Sequence, residues 1–168
     1  MHFRSGLIWL VALVALWVGC ASTPLVLEPI GPVSGGHSLF PSEASGLLQV
    51  FSATQVNLDG GIAYNVHTPY SVYTPDGKRV KSVMNRFGYT DQQPMTVTLP
   101  AGSYLVYALS QRYGQVQAPV TIVANRLTAV YLESPGMQDV SDIPESGLVR
   151  LPDGSVAGRR QASAPVRP

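Results

Sequence analysis

Between residues 46 and 134 apolar side chains recur at every second position, in short runs cut by glycine and proline. Ile62, Tyr64 and Val66 alternate with Ala63, Asn65 and His67, and Met95, Val97 and Leu99 alternate with Thr96 and Thr98. A period of two marks a strand with one buried face, and no stretch of about 12 residues here carries a helical stripe. Pro75-Asp76-Gly77, between Tyr70–Thr74 and Lys78–Met84, is a hairpin signal. Proline presets φ at the first turn position, aspartate tolerates the second, and glycine takes the left-handed one. Further runs lie at Leu47–Ala53, Ser103–Tyr113, Val120–Val123 and Leu127–Glu133, with turns at Pro100-Ala101-Gly102 and Asn125-Arg126. Pro69 and Pro119 are expected at a strand start or edge, where no ladder donor is missed. The spacing predicts an all-β fold, an antiparallel sandwich of about seven strands. Sixteen glycines and 14 prolines in 168 residues fit that turn-rich reading.

The N-terminus has a different character. Arg4 precedes the unbroken apolar run Leu7–Val18. As a helix that run would rise about 18 Å, short of a roughly 30 Å hydrocarbon core. It therefore reads as the core of a signal peptide over residues 1–19 rather than as a spanning helix. Leu16-Trp17-Val18-Gly19-Cys20 resembles the lipobox of bacterial lipoproteins, with Trp17 where leucine is usual. The resemblance implies cleavage before Cys20, a diacylglycerol thioether on its sulfur, and attachment to a membrane through those acyl chains. Cys20 is the only cysteine of the chain. Ala21 follows it; in Gram-negative lipoproteins an aspartate there commonly marks inner-membrane retention, so the expectation is the outer membrane of a cell envelope. The alternative is ordinary cleavage after Ala21, which would release a soluble periplasmic protein.

Residues 20–45 are rich in Ser, Thr, Pro and Gly, with Glu28 and Glu43 as the only charges. They read as a lipid-anchored flexible tether with a mean reach of roughly 25–30 Å; the other reading packs Leu25-Val26-Leu27 or Leu39-Phe40 on the domain as a strap. Residues 46–134 carry the sandwich. Residues 135–168 form a tail in which Leu148–Leu151, Pro152-Asp153-Gly154 and Ser155-Val156-Ala157 repeat the hairpin signal. An isolated hairpin is marginally stable, so this one is expected to dock on the domain.

Within Met95–Glu133, the pattern Leu99, Pro100, Gly102, Tyr104, Val120, Ile122, Val130 and Leu132 resembles the C-terminal half of carboxypeptidase-regulatory-like, transthyretin-like and PEGA domains. The resemblance implies a β-sandwich of the kind that usually serves as a spacer or binding module.

Charge and composition narrow the function. The formal net charge is +1 and charged residues make up 12 % of the chain, which lacks the basic field of a nucleic-acid binder. His37 and His67 are too far apart in sequence to suggest a metal set, and no zinc, calcium or phosphate-loop motif occurs. Asn57, Asp59 and Asp76 are the candidates for a hard cation, though Asp59-Gly60-Gly61 is more simply a turn. No nucleophile motif is present, and His67 is the one candidate base for a small hydrolase. The chain is therefore expected to be neither an enzyme nor a cofactor binder. Two surface features remain. Lys78, Arg79, Lys81 and Arg86 form either a basic patch for an anionic partner or the protective charges of an edge strand. Tyr70, Tyr73, Tyr89, Tyr107 and Tyr113 supply either a platform for a sugar or peptide or ordinary strand composition. On this reading Tyr70, Tyr73 and Tyr107 with Lys78, Arg79 and Lys81 are the candidate binding residues, for an envelope protein or a wall polymer.

Overall fold

The computed structural model describes residues 23–33, 44–133 and 135–161. The predicted signal peptide, Cys20, the middle of the expected tether and the last seven residues lie outside them. The strands are β1 (Leu25–Val26), β2 (Ile30–Gly31), β3 (Ser45–Phe51), β4 (Thr54–Asp59), β5 (Ile62–His67), β6 (Tyr70–Tyr73), β7 (Arg79–Val83), β8 (Thr96–Pro100), β9 (Gly102–Ser110), β10 (Gly114–Ile122), β11 (Leu127–Tyr131), β12 (Leu148–Arg150) and β13 (Val156–Arg160).

The fold is an all-β sandwich. One sheet runs β12-β13-β2-β10-β9-β6-β7, with β1 also on β10; the other is β11-β3-β8. Alternation drives the packing. In β9, β10 and β3 every second residue is buried, so each sheet turns one apolar face inward. Val72, Val106, Val116, Ala118, Val120 and Ile122 of the large sheet share a core with Leu48, Val50, Val97, Leu99 and Val130 of the small one. Most pairings are antiparallel, but β1 and β2 join β10, and β11 joins β3, in parallel. Tyr104 ties the Leu99–Tyr104 turn, its hydroxyl donating to the Pro100 carbonyl at 3.0 Å.

The expected flexible tether gives way, over residues 23–33, to a strap. Leu27 and Ile30 are buried in the common core, and Val33 N–H donates to the Leu127 carbonyl on β11 at 2.8 Å. The segment is too short to show a period, yet two apolar side chains with an open sheet edge beside them suffice to seat it. Pro119 is likewise not at an end: it sits inside β10, opposite Leu105. Leu27 N–H donates to the Gln117 carbonyl. By the alternation of a strand, Pro119 therefore turns its missing N–H toward the strap, between the points where β1 and β2 pair.

The C-terminal hairpin is docked. β13 pairs with β2, and Val149, Leu151 and Ala157 enter the core. Three ion pairs border these pieces: Arg160–Glu28 at 2.6 Å, Arg112–Asp153 at 2.7 Å and Arg150–Glu145 at 2.6 Å. The core thus extends beyond the expected limits of 46 and 134 on both sides. Inside those limits Thr54–Asp59 is a strand the alternation reading passed over, and Ser103–Tyr113 with Val120–Val123 resolves into the long hairpin β9–β10. β4 and β5 pair with each other and with neither main sheet.

Candidate functional site

The outer face of the large sheet carries the most developed surface feature. In the β6–β9 register Ser71 faces Tyr107 and Tyr73 faces Leu105, so Tyr73 and Tyr107 are diagonal neighbours on one face. Their rings meet edge to face, 5.3 Å between centroids at 80°. Gln117 lies opposite Tyr107 on β10 and accepts the Tyr107 hydroxyl hydrogen at 2.9 Å, which fixes the ring. Arg79 is the register partner of Tyr73 on β7, beyond an irregularity in the pairing at Val72/Tyr73. An open groove of about 500 Å³ follows this surface, lined among others by Ser71, Tyr73, Ser82, Leu105, Tyr107 and Gln115. Such a volume suits a small ligand or a few residues of a polymer.

Of the six candidate binding residues, the structure brings Tyr73 and Tyr107 together, with Arg79 on the neighbouring strand. Tyr70 borders the groove from the core side: the residue is 3 % exposed and packs in the common core, so it lines the groove without standing on the outer face beside Tyr73 and Tyr107. Its parity in β6 puts it with Val72, facing inward. Burial pushes the Tyr70 hydroxyl well above its ordinary value. Lys81 is also on another face, since it pairs with the inward Val72. Lys78 stands in the β6–β7 turn, its carbonyl accepting from Thr74 N–H at 2.9 Å. β7 ends the large sheet, so Arg79 and Lys81 sit on a sheet margin where charge discourages strand pairing. The predicted tyrosine set is dispersed: Tyr113 meets the C-terminal hairpin, where its hydroxyl accepts from Asp153 N–H at 3.0 Å, and Tyr89 lies beside Arg86. Ser71, Ser82 and Gln115, which line the groove, and Gln117, which holds the Tyr107 hydroxyl, were missed. They were reachable from sequence only by starting β10 at Gly114 and pairing it with β9.

His67 is not a solvated residue on an outward strand face. It is 9 % exposed, packs edge-on against Phe51 at 5.9 Å, and its Nδ1 lies 2.7 Å from the Ser52 carbonyl oxygen. That contact is to backbone, so the ring does not address the Ser52 hydroxyl as a triad base would. The hydroxyl instead donates to the Thr68 carbonyl at 2.8 Å and accepts from Asn85 Nδ2 at 3.0 Å. Asn85 also donates to the Val50 carbonyl and accepts from Met95 N–H. The cluster is a polar clamp between β3 and the segments after β5 and β7.

The three cation candidates are separated. Asn57 donates through Nδ2 to the Tyr89 carbonyl at 2.8 Å, and Asp59 is exposed beside the β4–β5 turn. Asp76 is held below the ordinary carboxylate range by its hydrogen bond with the Thr74 side chain, then by its own turn backbone and by nearby Lys78. Among the described residues no three His, Cys, Asp or Glu side chains form a metal-binding group, and no helix is long and apolar enough to cross a membrane. No family model, curated protein or solved structure matches this chain.

Proposed function

We propose that this chain is a non-enzymatic lipoprotein of a bacterial cell envelope, acylated on Cys20 and anchored by those acyl chains, with the sandwich as a structural or protein-binding module. The observation that carries the reading is the apolar run Leu7–Val18 ending at Gly19 and the sole cysteine, followed within five residues by the first strand of the sandwich. A carboxypeptidase-regulatory-like or PEGA-like relationship is part of the proposal; the burial of Leu99, Tyr104, Val120, Ile122, Val130 and Leu132 supports it. Ala21 in place of aspartate favours the outer membrane. Two or more acyl chains hold a protein stably on a bilayer, so no spanning segment is needed. Metabolic labelling with an alkyne fatty acid tests the reading. Label that depends on Cys20 is expected; absence of label, or label that survives Cys20→Ala, overturns it.

A second reading rests on the groove. The fixed Tyr73–Tyr107 pair, with Ser71, Ser82 and Gln115 lining the same groove, favours binding of a carbohydrate or wall polymer at this face. Retention on purified wall material should fall at least several-fold for Tyr107→Ala and Tyr73→Ala, both half-buried positions outside the core. Unchanged retention removes this reading and leaves the first.

A further inference from the structure

The end of the sandwich at which β1 begins also carries exposed apolar side chains, Val56, Leu58, Ile62, Phe87 and Tyr89 among them. β1 runs parallel to β10 from Val116 onward, so Thr23 and Pro24 leave the sheet at the end marked by the β9–β10 turn, Gln111–Tyr113. Leu25 follows Cys20 by five positions, a leash of at most roughly 17 Å. The β4–β5 hairpin starts at this same end. Ala53 N–H donates to the Leu109 carbonyl at 2.7 Å, and Gln111 Nε2 donates to the Thr54 carbonyl at 2.8 Å.

That hairpin exposes what a sheet normally hides. Val56 is 63 %, Leu58 67 % and Ile62 58 % exposed. Val56 and Leu58 share one face with Ala63, whereas Ile62 lies on the other with Asn57 and Tyr64. Asn57 draws in the segment after β7 through the Tyr89 carbonyl, and that segment adds Phe87 and Tyr89, 78 % and 59 % exposed. Apolar groups on both faces suit an apolar boundary around the hairpin rather than a partner on one side, and exposed Gln55, Asp59 and Asn65 among them suit the interfacial layer rather than the hydrocarbon centre. Six-residue strands extend about 20 Å, comparable to the leash.

We propose that the β4–β5 hairpin and the Phe87–Tyr89 loop enter the membrane interface beside the acyl chains of Cys20, as a second anchor that fixes the sandwich against the bilayer. Tyr89 and Arg86 then lie at headgroup level, where amphipathic rings and cations are favoured. This rests on the acylation of Cys20 proposed above.

The test uses the purified full acylated protein in phosphatidylcholine vesicles. With Cys20 blocked by its thioether, a cysteine introduced by Leu58→Cys or Phe87→Cys is the single labelling site for an environment-sensitive fluorophore. Lys78→Cys, in the β6–β7 turn, is the control. Blue-shifted emission and severalfold stronger quenching by bilayer-borne nitroxides at 58 and 87 than at 78 are expected. Quenching at 58 and 87 no greater than at 78 overturns the inference. So does a blue shift without lipid quenching, which would indicate a second copy or another protein on the hairpin. Mass analysis of the Cys20 peptide reports acylation separately. A lipidated chain with a water-exposed probe fails here alone. A chain without lipid fails the earlier reading; Cys20→Ser then keeps the introduced cysteine the single labelling site, and the probe with vesicles added still shows whether the hairpin enters a bilayer.

Discussion

Gly158 on β13 lies directly against Ile30 of the strap: a Cβ at 158 would stand 2.8 Å from Ile30 Cγ2 and 3.0 Å from the Ala129 carbonyl oxygen. The glycine is there for close approach, and it lets the two ends of the described chain share one seat. Gly158→Ala should destabilise the protein by about 1–3 kcal/mol in urea unfolding, as overpacking does. Ile30→Ala alone should cost about 2–5 kcal/mol. In the double variant the penalty at 158 should shrink, because the side-chain obstacle is gone while the carbonyl remains. Strict additivity would show that the two residues do not meet in solution.

Asn85 makes the second prediction. It is fully buried, holds φ at 61°, and makes three hydrogen bonds through its side chain. Asn85→Ala loses those bonds, each worth about 1 kcal/mol, and leaves a β-branchless but still chiral residue in the left-handed region at a further cost of about 1–2 kcal/mol. Asn85→Gly should recover the backbone part alone. Thermal unfolding of the pair separates the two contributions; equal losses would rule out backbone strain as a component.

Tyr70 sets an alkaline limit. Among the described residues its hydroxyl has no hydrogen-bond partner, and burial raises its folded-state value above the ordinary 10.0. A group that holds its proton more tightly when folded contributes stability below the unfolded value, and that contribution is lost as pH rises through the folded one. Stability should therefore decline from about pH 10 upward. Tyr70→Phe should flatten that decline and leave neutral-pH stability equal or higher, since an unpartnered buried hydroxyl is removed. A clear loss of stability at neutral pH in Tyr70→Phe would contradict this account.

The appended pieces should loosen in acid. Glu28 and Glu145 are held below the ordinary 4.5, chiefly by hydrogen bonds from Arg160 and Arg150, and Asp153 is held below 3.8, chiefly by the Ser155 side chain. Depressed carboxylates contribute stability above their unfolded values and lose it as pH falls through the folded ones. Exposed pairs of this kind are individually weak. Hydrogen exchange, corrected for intrinsic rates, should show the β12–β13 amides opening before those of β9–β10 as pH drops below 4.5. Simultaneous opening of both regions would mean that the ion pairs add nothing local to the docking.

The all-β character was legible because Met95–Leu99 and Tyr70–Thr74 follow the ordinary rule, apolar inward and polar outward. β4 was lost because it inverts that rule: Val56 and Leu58 face out and Asn57 faces in, so its polar residues passed for cation ligands and a turn. The strap was open in the sequence only as the second reading of Leu25-Val26-Leu27, and its pairing was not legible. Its partners lie about ninety residues along the chain, and parallel pairing at that separation leaves no local trace. Tyr73 and Tyr107 were found as residue types, but their meeting depends on the β6–β9 register, and the same register argument would have removed Tyr70.

Ile30 pairs with Val120 on one side and Arg160 on the other. An early segment of the sequence therefore takes one neighbour from mid-chain and the other from the last strand described. Closing so wide a loop is slow and comes late, as in other proteins dominated by distant contacts. A chain delivered N-terminus first can thus build most of the sheet with the β2 edge still uncovered, and that edge is sealed only when β13 arrives.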